Sequence, residues 1–150
     1  MGHNPMAVST NKHGTKELAA DGANLFMHFV VMSNELNTPK ILVCPEDNRT
    51  AAPSFKNLRN ANISYFVGLD ADETKPQMLL TGDRNVTNGV APRRGILELR
   101  PDRSAGWTEA IHNKNGNVGL ADGSVQQLTT ARLNSAIRVT GDATNRIALP

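Results

Sequence analysis

A chain of 150 residues carrying 16 Lys and Arg against 14 Asp and Glu, net +2, is long enough for one ordinary domain with a real core. The near-balanced charge, and the lack of aromatic residues among Arg93, Arg94, Arg100 and Arg103, argue against nucleic acid as a partner. A lone cysteine, Cys44, excludes an intrachain disulfide, and no apolar run approaches the roughly 18 residues of a membrane helix.

Residues 1–20 are polar and aperiodic and read as loop, with a short extended piece at Met6–Ser9. His3 and His13 there are expected to be surface histidines rather than a metal pair. Asp21 caps an expected helix over Ala23–Asn37, in which Leu25, Phe29, Met32 and Leu36 form one stripe. Met27 and Val31 widen the apolar arc almost to a full cylinder, so this helix should be covered on most sides. His28 within it reads as a satisfied structural histidine, and Pro39 ends the helix.

Ile41–Cys44 reads as a short buried strand or extended segment stopped by Pro45. Cys44 is expected to be an inert thiol, since no base is identifiable near it in the sequence. Glu46–Asn60 reads as loop with one helical turn at Ser54–Leu58. Asn62–Leu69 is the clearest strand, with Ile63, Tyr65 and Val67 on one face and Ser64, Phe66 and Gly68 on the other. Asp70–Glu73 turns the chain, and Gln77–Thr81 should pair antiparallel with the preceding strand.

Asp70, Asp72, Glu73 and Asp83 supply the oxygen-rich loops that calcium uses. However, Asp70-x-Asp72 lacks the remaining spacing of an EF-hand loop, and Arg84 adjoins Asp83 as a local counter-charge. An acidic, solvated turn is the expectation. Asn88–Arg94 is a second loop, Gly95–Arg100 a strand, Pro101–Gly106 a turn, and Trp107–His112 the expected first strand of a closing meander. The Asn-x-Ser/Thr triplets at Asn48, Asn62 and Asn85 read as chance.

His112–Thr129 reads as two tight turns with a strand between them. Asn115-Gly116 and Asp122-Gly123 suit type I′ turns, with Val118 and Leu120 on one face of the strand between. Folding at Asp122-Gly123 places Leu120 opposite Val125 and Val118 opposite Gln127, leaving Leu128 on the far face unless a bulge intervenes. His112 and Asp122 then stand at opposite ends of a strand of roughly 16 Å, beyond hydrogen-bond reach, so an acid–base dyad is not expected. Thr129 or Thr130 caps a helix through Val139, with Leu133, Ala136 and Ile137 at helical spacing and Gly141 as terminator. The tail Asn145–Pro150 should pack down through Ile147 and Leu149.

His112, nine intervening residues and Asp122-Gly123 resemble the C-terminal H-x9-DG motif of bacterial pilin-like proteins related to type II secretion pseudopilins. Cys44-Pro45-Glu46-Asp47, Asn62–Gly68, Gln77–Leu80 with Gly82–Asn85, and Ala105-Gly106-Trp107 follow in the order that family uses, so the resemblance covers about residues 5–150. It departs at the front, where the family has a basic leader and a long apolar helix. The resemblance therefore implies a head parted from its membrane and filament helix. The implied fold is α+β: a pilin-like globular head, one domain over residues 1–150, with an antiparallel sheet packed on an N-terminal helix and a short C-terminal helix.

The implied function is a structural subunit of a type IV pilus-like or pseudopilus-like filament in the cell envelope, periplasmic or extracellular. Homologous subunits would be its partners, and the membrane would be reached only through the missing helix. No glycine-rich phosphate loop, nucleophile elbow, zinc spacing or HExxH appears. No enzymatic activity, cofactor or metal is expected, although some pseudopilins carry calcium in a loop. His112, Asp122 and Gly123 are expected to be architectural. The alternative is a small extracytoplasmic ligand- or calcium-binding domain, using the Asp70–Asp83 loops or His112.

Overall fold

The computed structural model describes residues 3–150; Met1 and Gly2, the start of the expected N-terminal loop, lie outside the described residues. Eight strands form: β1 Tyr65–Gly68, β2 Leu79–Asp83, β3 Val86–Thr87, β4 Ile96–Leu99, β5 Gly106–Trp107, β6 Asn115–Leu120, β7 Val125–Thr129 and β8 Asn145–Ala148. Six of them make one sheet in the order β4-β8-β1-β2-β6-β7, antiparallel throughout, and β3 pairs with β5 in a second small sheet.

This corrects the expected fold class. The protein is mostly a six-stranded antiparallel sheet with few short helices, and among the described residues no N-terminal helix packs across the sheet as in the expected α+β arrangement. The expected helix over 23–37 is broken into a 3-10 turn at Gly22–Asn24, α1 Phe26–Val30 and α2 Ser33–Leu36. Asp21 does cap the first turn, accepting from the Ala23 N–H at 2.7 Å. Asn60, distant in sequence, binds at the first of these interruptions. Its Oδ1 accepts from the Phe26 N–H, and its Nδ2 donates to the Gly22 and Ala23 carbonyls. These are groups that a continuous helix would have used internally. The adjacent β-branched Val30 and Val31, followed by Ser33 and Asn34, give little propensity to resist.

The periodic strand reading survives better than the helix. Along β1, Phe66 joins one apolar cluster while Tyr65 and Val67 join the other, so both faces of the sheet are covered. On one side lie Leu25, Phe29, Leu42, Leu58 and Ile63 from the irregular N-terminal turns. On the other, α3 Thr130–Val139 lays Leu133 and Ile137 beside Leu97, Leu99 and Ile147. Thr129 caps α3 by accepting from the Arg132 N–H.

Other boundaries move. Of Met6–Ser9 only Val8 and Ser9 are extended, between 3-10 turns at Pro5–Ala7 and Thr10–Lys12. Pro39–Leu42 is a 3-10 turn capped by Thr38 rather than a strand, and Ile41 is exposed. Pro39 favours that outcome, because proline is pre-organised for the first position of a helical turn. Trp107–His112 is not a meander strand either, since pairing stops after Gly106–Trp107. The tail becomes β8, an interior strand between β4 and β1, with Ile147 fully buried.

His28 is fully buried, with Nδ1 at 2.6 Å from the Thr15 hydroxyl and Nε2 unpartnered, and burial lowers its pKa to about 4. The folded state therefore disfavours the imidazolium, so this contribution is complete above the ordinary value of 6.5 and is lost as pH falls toward about 4. Urea titrations across that window should show stability falling by up to about 1.4 kcal/mol per pH unit. His28→Phe should flatten the window.

Candidate functional site

The site is built where β2 ends and β6 begins. Between Trp107 and β6 the chain makes a turn in which His112, Asn113 and Lys114 are consecutively left-handed, with φ of 53°, 49° and 63°. Left-handed backbone costs an L-residue roughly 1–2 kcal/mol, so three in a row need outside support. Asn85, just beyond β2 and itself buried, supplies it: Nδ2 donates to the carbonyls of Thr108, Ile111 and Asn115 at 2.8–3.1 Å. The side chain of this Asn-x-Thr triplet is therefore spent inside the fold.

This turn carries His112 inward to two groups that the sequence does not place near it. Nε2 lies 3.3 Å from Cys44 Sγ and 3.5 Å from Asp83 Oδ2. Cys44 arrives on the loop after the Pro39–Leu42 turn, where its N–H donates to the Ser64 hydroxyl. Asp83 closes β2 and is fully buried. Its Oδ2 accepts from the Asn117 backbone N–H at 2.6 Å and from Asn117 Nδ2 at 3.0 Å, while Oδ1 has no partner. Among the described residues, Cys44, Asp83 and His112 are the one group of three or more whose ligand atoms lie within 4.8 Å of one another. Cys44 therefore does have a base beside it, contrary to the expectation from sequence.

The remaining motif residues lie elsewhere. Asp122 is exposed at the far end of β6, accepting from the Ser124 N–H at 2.9 Å and hydroxyl at 2.6 Å, and these bonds hold its carboxyl below the usual range. Gly123 has φ 85°. The turn differs from the expected I′ form, because Asp122 is not left-handed. The Gly123 N–H donates to Leu120 O, and the Leu120 N–H to Ser124 O. That is the three-residue loop with a left-handed glycine bulge. It shifts the register by one, so that Gly119 faces Val125 and Gly116 faces Leu128; Val125 points outward and Leu128 is buried. Asn115-Gly116 is no turn. Gly116 lies within β6 against the Trp107 ring, 2.4 Å from where a Cβ would sit.

At Gly123 nothing lies within 4 Å of an added Cβ, so strain there comes from φ alone. Gly123→Val should cost at least about 1–2 kcal/mol in denaturant unfolding. Asp122→Asn retains the acceptor for Ser124 and should stay within about 0.5 kcal/mol of the parent.

The acidic residues considered for calcium do not converge. Asp70 pairs with Arg146, Asp72 binds the Thr74 N–H and hydroxyl, Glu73 contacts His3, and Asp83 faces His112. Arg84 turns from its neighbour Asp83 to Asp47.

The sequence marks Cys44, Asp83 and His112 separately, as a thiol, a calcium candidate and a motif histidine, and does not join them. Nothing in local spacing joins His112 to Cys44, 68 residues away. The only available signal is that Cys44, Asp83 and His112 each fall in a segment of the resemblance series. No family model, curated protein or solved structure matches this chain.

Proposed function

We propose that the chain is the head domain of a structural subunit in a type IV pilus-like or type II secretion pseudopilus-like filament, held at the cell envelope and assembling with homologous subunits. The observation that carries this reading is the convergence of the segments behind the resemblance. The Cys44–Asp47 segment touches Ser64 through the Cys44 N–H, Arg84 through Asp47, and His112 through the Cys44 thiol. Asn85 supports the turn that holds His112, and Trp107 packs beneath Gly116. The ordered series thus serves as one mutually supporting frame, which suits a part that must keep its shape in an assembly. No helix among the described residues is long and apolar enough to cross a membrane.

Filaments sheared from the cells that make this protein, probed with antibodies raised against the 150-residue chain, test the proposal. Labelling along the filament length is expected. Bare filaments with the protein confined to another fraction would contradict it.

A further inference from the structure

We propose that Cys44 Sγ, His112 Nε2 and the Asp83 carboxylate bind one divalent ion of the zinc class. The site is independent of the filament reading and departs from the expectation of a metal-free protein.

Spacing is the first support. Zinc bonds of about 2.3 Å to sulfur, 2.0–2.1 Å to nitrogen and 2.0–2.2 Å to oxygen, at tetrahedral angles, set ligand atoms about 3.4–3.6 Å apart. Nε2 stands 3.3 Å from the sulfur and 3.5 Å from the carboxylate oxygen, and all three ligand atoms fall within 4.8 Å.

The second support is an excess of lone pairs over hydrogens. Cys44 and Asp83 approach the same ring nitrogen, which holds either one hydrogen or one lone pair. As a donor it serves only one of them; as an acceptor it faces the Asp83 oxygen with like charge. Asn117 Nδ2, which carries two hydrogens, donates to Asp83 Oδ2 at 3.0 Å and lies 3.4 Å from Nε2, the longer and weaker of its two contacts. Asp83 Oδ1 stays buried without a partner, which is costly for a carboxylate. A single cation satisfies sulfur, nitrogen and oxygen together.

The surroundings match what ligands require. Asn117 fixes the Asp83 carboxylate through two hydrogen bonds, and Asn85 braces the turn bearing His112, so the ligands are oriented by outer contacts. The His112 side chain is 17% exposed while that of Asp83 is 1% exposed, which leaves an entry on the histidine side. A thiolate with an imidazole selects zinc-like ions over calcium and magnesium, which prefer all-oxygen sites. The ion would clip three segments together: the Cys44 loop, the end of β2 and the strained turn before β6.

The test uses the full chain, stripped with chelator and reloaded with zinc(II) or cobalt(II). One ion per chain is expected, with a saturable rise in melting temperature for zinc. The cobalt form should show a thiolate-to-cobalt charge-transfer band and the intense d–d bands of four-coordination. Outer-shell losses weaken metal sites about 10–100-fold, so Asn117→Ala should fall in that range and Cys44→Ala beyond it. Circular dichroism checks that the variants fold, and the parent cobalt spectrum decides the matter if they do not. Absence of the thiolate band in the parent overturns the proposal, as does unchanged zinc affinity in folded Cys44→Ala. Alkylation of Cys44 at the same rate with and without zinc also overturns it, and would identify a reactive thiol–imidazole pair instead.

Discussion

Arg84→Ala is expected to cost the fold about 3–5 kcal/mol, a large share of the roughly 5–15 kcal/mol that holds a domain together. Arg84 Nε and Nη2 donate to the two oxygens of Asp47, both at 2.7 Å, and the Asp47 side chain is fully covered. The hydrogen bonds from Arg84 hold the Asp47 carboxyl down at about 2, against a burial that pushes it up. Alanine leaves that carboxylate buried without its partner. Replacing both residues, as Asp47→Leu with Arg84→Met, should recover most of the loss, because no charge is then stranded.

The pair also sets an acid limit. Its carboxyl value is depressed in the folded state, so the contribution is complete above the ordinary value of 3.8 and disappears as pH falls through about 2. Urea unfolding from neutral pH down to pH 2 measures both effects. The parent should lose stability in that window, and Arg84→Ala should show little further loss there.

Gly68→Ala should be more damaging still, by more than about 4 kcal/mol. Gly68 ends β1 in the interior of the sheet, paired with Ile147 of β8. A Cβ built there would lie 1.9 Å from the Leu79 carbonyl oxygen and 3.2 Å from that of Leu80. Both are backbone atoms of the neighbouring strand, so no rotamer change relieves the overlap, and β1 must part from the start of β2. Gly123→Ala is the matched control, with open space around its Cβ and only the left-handed strain to bear. Thermal melts should show Gly68→Ala largely unfolded where Gly123→Ala still melts cooperatively.

The contrast between these glycines shows what the sequence made legible. Gly123 was visible because an Asp-Gly dipeptide between apolar stretches signals a turn from local chemistry alone. The type of turn was not visible. A two-residue I′ loop and a three-residue loop with a glycine bulge share that dipeptide, and they differ by one residue of register. Burial of Leu128 rather than Val125 decides between them, and that preference comes from α3 and Trp107 across the cluster. Gly68 and Gly116 carry no local mark, since each is fixed by an atom from another strand.

The same division runs through the rest of the chain. Alternation in β1 and helical spacing in α3 are local; α3 was read with nearly correct limits, whereas the strand read as Asn62–Leu69 is only Tyr65–Gly68, with Asn60–Asn62 in a 3-10 turn. The helix over 23–37 is interrupted in its first turn, where Asn60 binds backbone groups, and again between Val30 and Ser33, and β8 was overlooked because Asn145 and Arg146 make a four-residue strand half polar. Arg146 is accommodated there by its pairing with Asp70. The His112 environment was hidden for a related reason. Its neighbours Cys44 and Asp83 come from segments that only the closed sheet brings together, while the tempting neighbour Asp122 is separated from it by the length of β6.

A double-mutant cycle on His112 tests that placement most directly. His112→Ala is combined with Asp83→Asn and, separately, with Asp122→Asn, and unfolding free energies are measured for each single and double variant. Residues in contact couple by about 0.5–3 kcal/mol, and distant ones add within about 0.3–0.5 kcal/mol. Coupling in the first range for His112 with Asp83, and simple additivity with Asp122, is the predicted result. Additivity with Asp83 together with strong coupling to Asp122 would contradict the account and return His112 to the hairpin turn.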